Sequence, residues 1–447
     1  MQQPVQQLLH APIGGMLLRL AAPNVAATIM TTASTFADAW YVGHLGTVAL
    51  ASLAVVFPLQ TLMIMTSGGA IGGGVTSAVS RALGRADSAA AQSNAWHGLL
   101  IGIVLALIFM MILGVMARPV FSLLVSDTGV LDGAVRYAHI AFGGAITVVM
   151  VWVLSAILRG TGDTITPARA VVVSGAAQVG LSGALTLGWG PFPSLGVVGP
   201  ATALVVCQGL ASAYLLLHLL SGRATIRLRP EPLRWKPVAD IMRVGGLGLI
   251  NSFTIALTVV TVTGFVARYG TEALAGYGLG SRLELMLVPI AFGIGGALTV
   301  GVGANVGAQQ FARARRIAWT GGGFTLAFVS VIGLVVALVP SLWLNLFTAD
   351  ASAYAIGALY LAIAGPLYGV FAGGQSLYFA NQGTGRMFLP VLVGVVRFVV
   401  VALIGGLAVY FSWPLTIVFA GVAVGLVIIG VGLSLCMRTT PWFEPTR

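Results

Sequence analysis

Four charged side chains stand within stretches otherwise too apolar to hold them: Asp38, Arg282, Glu284 and Arg397. A carboxylate or guanidinium in apolar surroundings costs several kcal/mol unless it is neutralised, paired or put to use. Asp38 is the sole acid of its stretch and lies five residues before Gly43. A lone carboxyl so placed suits the uptake and release of a proton. The structural alternative is an acid that accepts hydrogen bonds from neighbours or faces the outer headgroups. Glu284 follows Arg282 by two residues, so the two point to different faces of a helix and are not an obvious pair. Arg397 is the partner expected for Glu284, in a structural network or in substrate or proton handling. Ser174, Gln178 and Thr202 are candidates for a network around Asp38, although tying neighbouring helices together is the commoner use of such residues. Pro23 lies about four helical turns before Asp38 and removes one backbone hydrogen bond. It marks either a static kink or a bend coupled to Asp38 protonation.

Other chemistries find no support. Cys207 and Cys436 both fall inside apolar runs, which implies neither a disulfide nor a metal site. The five histidines are scattered without metal-ligand spacing. The glycine-rich SGGAIGGG at 67–74 lacks the Lys-Ser/Thr of a nucleotide loop. No nucleophile, base and metal set clusters as an enzyme would need, and no cofactor is expected.

The elements that must carry these residues follow from composition. Of 447 residues, 58% are hydrophobic and only 7% charged, where a soluble domain carries about a quarter. The chain reads as an all-α polytopic membrane protein; a barrel would alternate apolar and polar residues instead of running apolar continuously. A span needs about 20 apolar residues. Twelve runs qualify, at roughly 16–42, 48–79, 94–117, 133–157, 166–189, 195–220, 244–268, 273–303, 317–340, 354–380, 388–411 and 414–437. The net charge of +11 reads as orientation signal, not as a nucleic-acid surface. With the N-terminus in the cytoplasm, seventeen of the 22 basic residues, Arg447 included, fall on the cytoplasmic side and three on the other. The expectation is therefore a multi-pass protein of the inner membrane with both termini cytoplasmic.

The two halves match at an offset of 223 to 224 residues. LGTVALA at 45–51 lies over YGTEALA at 269–275, and RGTGDTITP at 159–167 over QGTGRMFLP at 382–390. Six helices per half is an even number, so both halves insert the same way up, as parallel repeats about an axis along the membrane normal. Residues 1–220 form an N-lobe, 244–447 a C-lobe, and the basic stretch 221–243 joins them.

Pro23, DAWYVGHLGTVALASLAVVFPL at 38–59, VSRALGRAD at 79–87, RGTGDTITP at 159–167 and SRLELMLVPIAFGIGGALTVGVGANVGAQQ at 281–310 together resemble the multidrug and toxic compound extrusion (MATE) family of antiporters. The likeness covers nearly the whole chain. An acid in the first helix, like Asp38, is similar to the DinF-like branch. The resemblance implies export of amphipathic, often cationic compounds, drugs or toxic metabolites, in exchange for protons or sodium ions, with Asp38 as the coupling residue. The NorM-like pattern puts coupling acids in helices seven and ten, and neither helix holds one here. Sodium wants several oxygen ligands, so a proton is the expected coupling ion, with sodium coupling or a lipid-linked precursor flippase as alternatives. A flippase would line its cavity with several arginines. The expected cavity lies between the lobes, with Phe36, Met150, Asn251, Gln375, Tyr378, Glu284 and Arg397 as candidate lining. Nothing implies a protein partner, and a monomer is expected.

Overall fold

An apolar run crossing lipid has no water to satisfy its backbone, so each run closes its hydrogen bonds internally as a helix. The computed structural model describes residues 3–125, 127–348 and 350–439; Arg447 lies outside them. Twelve spans account for nearly all of this. The N-lobe holds α1 (Ile13–Gly43), α2 (Thr47–Gly84), α3 (Ser88–Val115), α4 (Thr128–Gly143 and Ala145–Gly160, bent by 46° where they join), α5 (Ile165–Leu187) and α6 (Gly196–Leu220). The C-lobe holds α7 (Trp235–Ala267), α8 (Thr271–Gly307), α9 (Phe311–Leu338), α10 (Ala351–Thr384), α11 (Phe388–Tyr410) and α12 (Leu415–Thr439).

Two elements depart from the hydropathy reading. The linker expected at 221–243 is shorter, because α7 begins at Trp235. Hydropathy reports where a helix meets lipid, whereas Pro237 in the first turn and the polar residues after it start the helix before the bilayer does. A short helix, Gln3–His10, also precedes α1. It buries Val5, Leu8 and Leu9. Asn305 Nδ2 of α8 donates to the Leu8 carbonyl at 3.0 Å, and Arg313 of α9 donates to that of Ala11.

The repeat is written in the backbone. Gly46 and Gly270 share an unusual φ of 108° and 105°, Ala86 and Gln309 both sit at 59°, and Gly162 and Gly385 at 91° and 79°. Asp127 and Asp350 each cap a helix by accepting the amide three residues on, at 2.8 and 2.7 Å. The offset is 224 at Gly46 but 223 at Ala86, since α2 has 38 residues where α8 has 37. The extra residue is absorbed by a wide π-helical turn, Met65–Ile71, in the middle of α2.

The lobes meet along a seam near the end of the molecule that carries the linker and the start of α1. A Cβ on Gly84 of α2 would land on the Ala304 carbonyl oxygen of α8, and one on Gly307 would land on the Arg81 carbonyl oxygen. Residues 81 and 84 correspond to 304 and 307, so this is a single contact seen twice, as a two-fold axis through the seam requires. The contacts of Gly248 with Ala70 and of Gly293 with Val25 form a second such pair. Toward the opposite end Gly43, Gly264 and Gly278 have open space around them.

Arg81 is the ionic element of the seam. Its Nη2 lies 2.7 Å from Asp240 Oδ1 of α7, and its Nη1 donates to Ser77. The arginine side chain is 5% exposed and the aspartate 35%, so the two partners are not equivalent. Asp240→Ala strands a buried cation, at a cost of about 3–5 kcal/mol. Arg81→Met leaves an acid that water already reaches. Thermal unfolding in detergent should therefore show Asp240→Ala as the more damaging change, and equal losses would contradict this account of the pair.

Candidate functional site

Asp38 lies on the face of α1 that packs against α5, and small residues set how closely those helices approach. A Cβ on Gly175 would lie 2.8 Å from Met30, and Ser34 Oγ donates to the Gly175 carbonyl at 3.2 Å. One turn on, Gln178 and Ser182, four residues apart on one face of α5, reach Asp38. Ser182 Oγ donates to Oδ1 at 2.6 Å and Gln178 Nε2 to Oδ2 at 3.1 Å. Both carboxylate oxygens are thus supplied with donors, and Asp38 is only 6% exposed. Gln178 was legible in the sequence. Ser182 was missed, although its position one turn beyond Gln178 was the available signal.

Ser174 and Thr202 do not join this group. Their hydroxyls donate to the carbonyls of Val171 and Val198 in their own helices, at 3.2 and 3.0 Å, the usual fate of a hydroxyl in a span. Pro23 lies inside α1, which continues through it to Gly43.

A cavity of about 390 Å³ adjoins Asp38. Its described lining belongs mostly to the N-lobe, with Arg282 of α8 as the one C-lobe residue among the described residues, so it sits nearer the N-lobe than the midway position expected. Phe36, Phe57, Trp152 and Tyr137 supply apolar surface, while Gln60, Gln178 and Gln208 supply amides. Phe36 is where the sequence placed it, but Met150 is not in the lining. Met150 packs inward, its methyl 2.9 Å from where a Cβ on Gly102 would stand. Asn251, Gln375 and Tyr378 line a second cavity, with Phe292 and Gly69, of only about 10 Å³, which is room for about one water.

The repeat explains why the cavity leans to the N-lobe. Tyr137 donates to Gln60 at 3.3 Å in the N-lobe, and Tyr360 donates to Glu284 at 3.1 Å at the equivalent place in the C-lobe. There the C-lobe stacks Tyr277, Tyr360 and Phe419, with ring centroids 5.1 to 6.2 Å apart. Tyr277 corresponds to Leu53, which lines the N-lobe cavity. Tyr360 has its counterpart in Tyr137, so Tyr277 and Phe419 are the rings that fill space the other lobe leaves open.

Glu284 and Arg397 attract each other across the C-lobe interior, as expected, but form no ion pair within 4 Å. Tyr360 donates to Glu284, and the Arg397 guanidinium lies over the Phe371 ring, 5.7 Å from its centroid, so a hydroxyl and a ring face add to the longer-range attraction between the two charges. Neither residue lines either cavity.

The sequence pattern of the MatE family matches residues 23–181 and 249–407, once in each lobe. The chain belongs to the MatE family. Members of the MatE family are membrane transporters and not enzymes, which accords with the twelve apolar spans. The chain is 27% identical over 368 residues to a protein of Shewanella oneidensis named as an FAD transporter, covering 81% of this chain and 80% of that one. It is 26% identical over 388 residues to the probable multidrug resistance protein NorM of Thermotoga maritima, covering 84% and 81%. Among solved structures, a MOP superfamily transporter from Pyrococcus furiosus superposes with a TM-score of 0.90 at 21% identity, and the outward-facing conformation of a multidrug resistance MATE family transporter with 0.89 at 21%; both cover 98% of each chain. These two neighbours share the MatE fold with this chain.

Proposed function

We propose that this MatE-family chain is a secondary exporter of amphipathic compounds, driven by protons taken up at Asp38 and working by alternating access in the plasma membrane, with both termini in the cytoplasm. The observation that carries the reading is the Asp38 group itself: a buried carboxyl with a donor on each oxygen, at the wall of a large, mostly apolar cavity. A charged Asp38 holds α1 to α5 through Gln178 and Ser182. Once protonated it no longer needs both donors, and α1 is free to shift about Pro23 and narrow the cavity. The seam supports the same cycle, since it is closed at the basic end and must open for the cavity to face the cytoplasm. One chain supplies both lobes and the cavity, so a monomer suffices.

Sodium coupling is the weaker alternative. A sodium ion wants several oxygens, whereas the groups aimed at Asp38 are donors. The flippase alternative is disfavoured as well, because the cavity holds one arginine in place of a ring of them. The test is dye release from proteoliposomes under an imposed pH gradient with sodium equal on both sides, then under a sodium gradient at constant pH. Release should follow the pH gradient alone. Release under the sodium gradient alone would replace the proton with sodium.

A further inference from the structure

The charge balance of the cavity points to its substrate. Among the described residues its lining contains one acid, Asp38, and one base, Arg282. Asp38 is buried and both its oxygens receive donors from α5, so little of its charge is left for a ligand. Arg282 differs in each respect. It is exposed, it forms no ion pair within 4 Å to a described carboxylate, and its guanidinium stands 5.9 Å from the centroid of the Phe347 ring. A ring face steadies a guanidinium without using its N–H donors. Those donors form a planar fork suited to a carboxylate or phosphate. Beside it the cavity offers Phe36, Phe57 and Trp152 as apolar surface.

We infer that Arg282 is the specificity-determining residue of this site, and that the preferred cargo is an amphiphile carrying an anionic group, zwitterions included, in place of a purely cationic one. The inference rests on the export reading above and narrows it. The anionic group docks on Arg282 of the C-lobe while the apolar body lies against the N-lobe. The substrate then bridges the two lobes, and their movement separates its two contacts.

A matched pair of probes tests this: a xanthene dye with a free carboxylate, and its methyl ester. Binding to the purified, detergent-solubilised protein is read by fluorescence anisotropy. The wild type should bind the carboxylate dye at least about tenfold more tightly than the ester, as a hydrogen-bonded charge pair shielded from water would give. Arg282→Gln should erase the difference by weakening the carboxylate dye alone. Arg282→Lys should restore part of it, which also excludes misfolding as the cause. Equal binding of both dyes by the wild type, or equal loss of both in Arg282→Gln, would overturn the inference. Vesicle efflux of the same dyes is measured separately. Discrimination in binding without efflux would support the site and count only against export.

Discussion

Asp38→Asn should fold, should bind amphipathic dyes, and should exchange none of them for protons. Asparagine fits the same space and keeps an oxygen for one donor, so the α1–α5 contact survives. What is lost is the proton. A proton can bias the two states by no more than the difference in its affinity for them, about 1.4 kcal/mol per pKa unit, and asparagine has no such affinity. In proteoliposomes, pH-driven dye release by Asp38→Asn should fall to that of protein-free vesicles, with dye binding retained. Undiminished proton-driven release would remove Asp38 from the mechanism and leave Glu284 as the next buried carboxyl to examine.

The second large effect is expected at the seam. A side chain on Gly84 meets the backbone of α8 at Ala304, which cannot rotate away as a side-chain tip could, so the helices must part. Overpacking of this kind costs about 1–3 kcal/mol, roughly a five- to hundredfold shift away from the closed seam. The reporter is Ser80→Cys, in a chain whose own buried Cys207 and Cys436 are replaced by alanine. Ser80 is fully buried, and an impermeant maleimide added from the basic end should leave a cysteine there unlabelled. With Gly84→Val added, labelling should rise severalfold and dye efflux should fall. Gly323→Val is the control, since nothing lies within 4 Å of that position. If Gly84→Val and Gly323→Val label alike, the seam is not held as described.

The spans, their pairing into two lobes and the parallel repeat were legible because they rest on hydropathy and periodicity along the chain. Asp38 was legible for the same reason, as a charge out of keeping with its stretch. What could not be read was which side chains meet across helices. Ser182 is one of many span hydroxyls, and only the packing of α5 on α1 separates it from Ser174, which turns back to its own helix. The match of Glu284 to Arg397 was a sound argument about charge, but it left out aromatic surface. Glu284 and Arg397 attract each other without closing to an ion pair, while Tyr360 and Phe371 make the close contacts, and no count of charges reveals where rings will lie. The cavity was expected between the lobes because transporters built from parallel repeats carry their substrate path there. It leans to the N-lobe, where Leu53 stands in the place that the Tyr277 ring fills in the other.

The π-helical turn at Met65–Ile71 has a bearing on how far the two lobes are interchangeable. One residue in an α-helix is about 100° of rotation. The wide turn takes up that rotation locally, so the half of α2 that precedes it shows the lobe interior the same face that the continuous α8 shows, with Gln60 meeting Tyr137 as Glu284 meets Tyr360. Removing a single residue from this turn would equalise the lengths of α2 and α8, and should leave Leu53 and Gln60 in the cavity wall, since Tyr277 and Glu284 face the interior from a helix without such a turn. A protein spliced together from two copies of its second half would carry Tyr277, Tyr360 and Phe419 twice, and with them two ring-filled interiors. Its lobes could still close on each other, but they would have nowhere to hold a passenger.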